Sequence, residues 1–318
     1  MKVITCFSYK GGAGRTTAAA NIAAALASVT GNVGGIESPL RRKVALIDLD
    51  VFSAGTHRVF EITNNDIKDH EICCVQDYLR EQMAPGLYIE RGGIKLTHEC
   101  MKAFRMSRGA AGNCDTDFVL FPARPDPDSR FLVQKQHENV LIELLIELEN
   151  RKPGFDYVIL DGESGTRQMA DIGLRLADIV LMFFRLTWQH IDGTLNTVED
   201  LQAKTQIKPF YLVPTCVPLV HGEESVYRNG APGLDELIRL TEHVPRASKL
   251  DEFSQDHRDR HFWSNSGGPI NRLCVHDSLF LKGEERIIVF DTEARKDCAA
   301  QDYYRIAAEI NRLHDPSR

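Results

Sequence analysis

No run of about 18 apolar residues occurs anywhere in the chain, which excludes a membrane-spanning helix. The first residues lack the charged and apolar regions of a signal peptide and enter a strand-like run at once, which predicts a cytoplasmic protein. Cysteine pairing motifs are missing too. The eight cysteines are scattered without a C-x-x-C pair, and Cys6, Cys216 and Cys274 lie in apolar runs. They read as small buried hydrophobes in a reducing compartment, not as a disulfide framework. No repeat or low-complexity segment is present, and the average composition excludes a disordered or fibrous protein. An excess of positive charge is also lacking: 38 Lys and Arg face 45 Asp and Glu, for a net charge of −7. No global field therefore draws the chain to DNA or to anionic lipid, and DNA is disfavoured as a partner.

With 318 residues, 43% of them hydrophobic and 26% charged, the chain can bury a substantial core as one large domain, residues 1–318. Its organising stretch is Phe7 to Thr17, FSYKGGAGRTT. An apolar run before it, Val3 to Phe7, reads as a buried strand, and an Ala-rich run after it, Thr17 to Val29, reads as a helix. Strand, glycine-rich turn and helix together cradle phosphate. Main-chain N–H groups from Gly11 to Thr17 (Gly11, Gly12, Ala13, Gly14, Arg15, Thr16, Thr17) turn toward an anion, and the helix N-terminus adds partial positive charge. Thr16 follows the basic residue and can offer its hydroxyl to Mg²⁺. The common pattern G-x-x-x-x-G-K-[ST] is altered at both ends: Tyr9 replaces the first Gly, and Arg15 replaces the Lys.

Two further apolar runs end in acidic residues. Val44 to Leu49 leads to Asp48 and Asp50, and Tyr157 to Leu160 leads to Asp161. Carboxylates at the C-terminal ends of parallel strands lie on the edge where open α/β sheets bind ligands. After Asp161 comes Gly162-Glu163-Ser164-Gly165-Thr166, whose glycines permit movement; Glu163 is expected to be solvent-exposed, the alternative being a second water-positioning carboxylate. Phe118 to Pro122, Ala177 to Phe184 and Phe210 to Val213 read as additional strands. Helices are expected near 75–83, 129–150 and 190–205, with a closing helix through Tyr303, Ile306, Ala307, Ile310 and Leu313. The polar face of that last helix is mixed in charge, against a basic lipid-binding tail. Residues 30–42 read as a solvated loop. Residues 62–115 and 219–272 read as two inserted elaborations, the first partly mobile and the second carrying His257 and His261 at helical spacing without a third ligand.

The run KGGxGRTT, with Lys10 as an additional basic residue, resembles the deviant P-loop of the ParA/MinD family of ATPases, in the branch where Arg takes the second basic position. The resemblance covers about two thirds of the chain. It implies an α/β fold, with a mostly parallel central sheet and helices on both faces. It also implies ATP and Mg²⁺ as cofactors, with Thr16, Asp48 and Asp161 around the metal, Asp50 orienting the attacking water, and Arg15 on the phosphates. Lys10 is implied to reach across a nucleotide-dependent homodimer, in which ATP acts as glue and hydrolysis as release. The familiar D-P-Q-G and D-T-P-P continuations are absent; Asp50 is followed by Val51-Phe52-Ser53 and Asp161 by Gly162-Glu163. A guanidinium is broader than an ammonium, so Arg15 is expected to keep binding and slow hydrolysis. The implied function is a switch that regulates or positions an unidentified protein partner. A second reading is a catalytically weak nucleotide-binding scaffold within a larger defence or signalling assembly. A third, a metabolic transferase on the same scaffold, has no acceptor motif here. Thr215 and Cys216 stand where relatives often place Asn or Arg, which leaves the choice of base open.

Overall fold

The computed structural model describes residues 1–27, 42–96, 118–126, 131–165, 167–185, 187, 189–190, 192–194, 196–197, 210–217, 273–281, 286–289 and 297–314. An eight-stranded sheet runs through the middle. Its strands are β1 (Lys2–Phe7), β2 (Val44–Asp48), β3 (Ile94–Leu96), β4 (Phe118–Phe121), β5 (Tyr157–Asp161), β6 (Ile179–Arg185), β7 (Phe210–Val217) and β8 (Val275–His276). They lie in the order β3-β4-β2-β5-β1-β6-β7-β8. Every pairing is parallel except that of β3 with β4. β1, β2, β4 and β5 are nearly continuous apolar runs because both faces of the sheet are covered.

One face is covered by α1 (Arg15–Ala27) and by the C-terminal α8 (Cys298–His314), which pack on each other. α1 has no polar side: Ala18 to Leu26 are all buried, including Asn21. Asn21 satisfies its amide by donating to the carbonyls of Thr17 and Arg286 and accepting from the N–H of Ile288. The other face is covered by α6 (Gln136–Asn150), through Val140, Leu141, Leu144, Leu145 and Leu148, and by α7 (Gln168–Leu176). The expected helix over 129–150 thus begins at Gln136.

Residues 62–96 are more regular than their polar sequence announces. They hold α3 (Asn64–Asp69), α4 (Val75–Glu81), α5 (Pro85–Gly92) and the edge strand β3, after a single turn α2 (Thr56–Val59). α4 is the helix expected near 75–83, whereas α3 and α5 are too short to show a clear period in sequence. Tyr78 of α4 and Tyr88 of α5 stack in the core, with ring centroids 4.2 Å apart. At the end of the expected loop, Arg42 bonds Asn311 and Lys43 bonds the carbonyl of Pro153, so both serve the fold. The rest of that loop, residues 97–115, the core face expected at Ile191, Leu195, Val198 and Leu201, and His257 and His261 lie outside the described residues.

Candidate functional site

Register brings the acidic strand ends together. β5 lies between β1 and β2, so Asp48 is directly opposite Asp161, and Asp161 is opposite Cys6, just before the glycine turn. Within that turn Gly12 and Gly14 adopt left-handed backbone, φ +79° and +72°, which a side chain would oppose. Gly11, Gly12 and Gly14 are exposed with open space above them, whereas Ala13 is buried. The Thr215 hydroxyl at the end of β7 donates to the Ala13 carbonyl at 2.8 Å and fixes the turn from behind. Thr16 is half-buried and sits beside Gly55. Thr17 is buried inside α1. Lys10 is exposed and donates to Gln189, while the Tyr9 ring lies against Gly193.

Arg15 does not face outward with the turn. It is buried, with Nε on Asp161 Oδ1 and Nη2 on Asp50 Oδ2, both at 2.8 Å, and Nη1 on Ser8 Oγ at 3.4 Å. Burial opposes its charge, but Asp161 and Asp50 outweigh burial and hold the guanidinium more firmly protonated. Asp50 turns its second oxygen to the N–H of Ser53 at 3.1 Å, closing a turn and capping no helix. Gln76 holds the Val51 carbonyl at 2.8 Å and so anchors the loop that replaces D-P-Q-G.

Asp48 is fully buried and accepts from the N–H groups of Asp50 and Thr56, at 3.0 and 3.2 Å. Burial first, then the charges of Asp161 and Asp50, push its carboxyl up to about 7. Asp161 accepts from the Thr56 hydroxyl on its other oxygen, at 2.9 Å.

Glu163 corrects the sequence reading: it is 2% exposed, not solvated. Arg167 pairs with its Oε1 at 2.8 Å and lies over the Phe52 ring, joining the loops that follow Asp50 and Asp161. Its Oε2 is buried with no hydrogen-bond partner, and burial raises its pKa. Gly165, at φ +84°, donates its N–H to the Ser8 carbonyl and brings this loop against the glycine turn. Thr56 is the member that nothing in the sequence marks. Glu163 is legible as a carboxylate beside the site from its place two residues after Asp161, and only its burial differs from expectation.

The site thus gathers Asp48, Asp50, Asp161 and Arg15 under a glycine turn at one sheet edge. Lys10 alone among the expected residues stands apart on the surface.

Comparison with known proteins gives a family match for residues 1–210, to the AAA domain family AAA_31. No curated protein matches. Among solved structures the chain is similar to the MinD cell division protein of Aquifex aeolicus, at TM-score 0.61 and 17% identity over 98% of this chain and 97% of that one. It is similar to a putative plasmid partition protein of Borrelia burgdorferi bound to AMPPNP, at TM-score 0.60 and 15% identity over 98% of each chain. A third is the septum site-determining protein MinD of Pyrococcus horikoshii complexed with Mg-ADP, at TM-score 0.58 and 15% identity, covering 100% of this chain and 98% of that one.

Proposed function

This chain belongs to the AAA_31 family of AAA domains and has the fold of the MinD-type P-loop ATPases, and from that premise we propose that it is a Mg-ATP-dependent switch. Nucleotide would join two copies of it, and slow hydrolysis would release them from each other and from a protein partner. The observation that carries this reading is the meeting of the Gly12–Gly14 turn with Asp48, Asp50 and Asp161 at one sheet edge.

A divalent cation fits these residues. Asp48, Asp50 and Asp161 are set against the single guanidinium of Arg15, so the ionised cluster is short of positive charge. Glu163 Oε2 is a further buried oxygen without a hydrogen bond near them, although Arg167 balances the charge of Glu163. Thr16, Asp48 and Asp161 would hold Mg²⁺, which when bound supplies charge neutralisation for phosphate oxygens. The amides of Gly11 to Thr17 would receive the phosphates. Asp50 would orient a water, and Lys10, free of the buried cluster, would reach a second subunit.

The ion pairs of Arg15 favour a second reading, the catalytically weak scaffold. A guanidinium already held by Asp50 and Asp161 must let go of at least one of them to serve a phosphate, and that exchange slows turnover.

Saturating Mg-ATP, at about 100 times its Kd, should stabilise the protein by about 2.7 kcal/mol in a thermal melt. Asp50→Ala should keep that shift while losing hydrolysis, and Arg15→Lys should change the rate more than the affinity. A melt unmoved by ATP and by GTP would sink the proposal. Turnover that stays negligible with every candidate partner would favour the scaffold.

A further inference from the structure

At the β8 edge of the sheet, far in sequence from the glycine turn, a second group of donors converges. Cys274 and His276 are two residues apart on the extended segment that forms β8, so their side chains leave on the same side. α8 passes over that side and presents Asp302. The Cys274 sulfur is 3.9 Å from His276 Nδ1, and that nitrogen is 2.6 Å from Asp302 Oδ2. The three donor atoms lie within 4.8 Å of one another. Cys274 and Asp302 are each 2% exposed, and His276 is half-buried. Cys298 is four residues before Asp302, one helical turn along the same face of α8, and stands outside that group of three.

We propose that Cys274, His276, Cys298 and Asp302 form a structural zinc site that fastens β8 to α8. Two donors come from each element, C-x-H from the strand and C-x-x-x-D from the helix, and together they make a closed four-coordinate set of sulfur, nitrogen and oxygen. With Zn–S at about 2.3 Å and Zn–N at about 2.0–2.1 Å, a tetrahedral angle separates sulfur from nitrogen by about 3.6 Å. The observed 3.9 Å is close to that. The carboxylate has to withdraw from Nδ1, by about 0.7 Å on the same reckoning, and the Cys298 thiol has to turn in to complete the set. Asp302 is held for that role from outside: Arg305 donates to Oδ1 at 2.9 Å, and the His276 N–H to Oδ2 at 2.9 Å.

A thiol–imidazole–carboxylate relay is a poorer reading of the same atoms. A relay needs thiol and carboxylate on opposite ring nitrogens, and here both address Nδ1. A staple also suits the place. β8 is a two-residue strand at the edge of the sheet, with little ladder of its own to hold it.

The full-length chain, purified under reducing conditions, should carry about one zinc per chain by elemental mass spectrometry. Stripping with a chelator should lower the melting temperature, and added Zn²⁺ should restore it. Cobalt(II) in place of zinc should give tetrahedral ligand-field bands and a sulfur-to-cobalt charge-transfer band. These should weaken in Cys274→Ser, vanish in Cys274→Ser/Cys298→Ser and persist in Cys216→Ser. Should Cys274→Ser fail to fold, the metal content and cobalt spectrum of the unaltered chain decide the matter. A metal-free chain that takes up no cobalt overturns the proposal, as does a spectrum indifferent to Cys274, or a Cys274–Cys298 disulfide in protein never exposed to oxidant. None of these readings depends on nucleotide.

Discussion

A guanidinium between two carboxylates can satisfy both at once, which an ammonium at the same place cannot. Arg15 uses two of its nitrogens in this way and a third on the Ser8 hydroxyl, and Asp50 and Asp161 depend on it for their charge balance. Arg15→Ala should therefore destabilise the nucleotide-free protein by about 3–5 kcal/mol, read from the shift in a urea unfolding curve, because two buried carboxylates lose their cation. Arg15→Lys should recover part of that loss.

Asp48 gives a pH prediction. Its carboxyl is pushed up to about 7 from 3.8 by burial and by the charges of Asp161 and Asp50. Between those values the folded protein keeps a proton that the unfolded chain releases, so this contribution to stability falls as pH rises through the window. His57, lowered by burial, works in the opposite sense below 6.5. The difference in unfolding midpoint between Asp48→Asn and the parent chain isolates Asp48: the variant should gain relative to the parent toward neutral pH. A difference that stays constant with pH would show that Asp48 titrates normally. Asp48, Asp50 and Asp161 were legible in the sequence because each stands at or just beyond the end of an apolar run. Thr56 was not, nor was the burial of Glu163, because nothing local distinguishes a buried polar residue from a solvated one; both are buried by the packing of distant strands.

Among the elements, the strands of the central sheet were legible from their apolar runs, whereas the short helices between β2 and β4 were only partly so. Arg91-Gly92-Gly93 reads as a polar punctuation mark, yet Gly92 is packed as tightly as any core position. A Cβ on Gly92 would fall 2.5 Å from the Cys73 carbonyl oxygen and 2.5 Å from the Tyr88 ring. The backbone of the loop before α4 and a buried aromatic of α5 itself would both have to move. Gly92→Ala should cost about 1–3 kcal/mol, measured by denaturant unfolding, while leaving nucleotide affinity unchanged. β8 is the opposite case. Two residues cannot announce a strand by alternation, and its place in the sheet is set by β7 and α8.

For the molecule as a whole, no described helix is long and apolar enough to cross a membrane. Self-association is then the property to test. Lys10 lies on the surface, where among the described residues its hydrogen-bond partner is Gln189, so it is available to a second copy in a way that Arg15 is not. Sedimentation of the protein with Mg-ATP should show a dimer that dissociates on nucleotide removal. Lys10→Ala should weaken that dimer and lower turnover without altering the fold, as judged by an unchanged melt of the free protein. Equal dimerisation with and without Lys10 would leave the residue without that role.

The helix that follows the glycine turn is finished by residues distant in the sequence. Asn21 finds its mates at 286–289, and the alanines around it are roofed by α8, whereas the family match stops at residue 210. A ribosome that has released only those first 210 residues therefore presents a bare alanine surface and an amide with most of its bonds unmade. The portion translated earliest matures last, and a shortened version cut at that boundary would remain in the same unfinished condition.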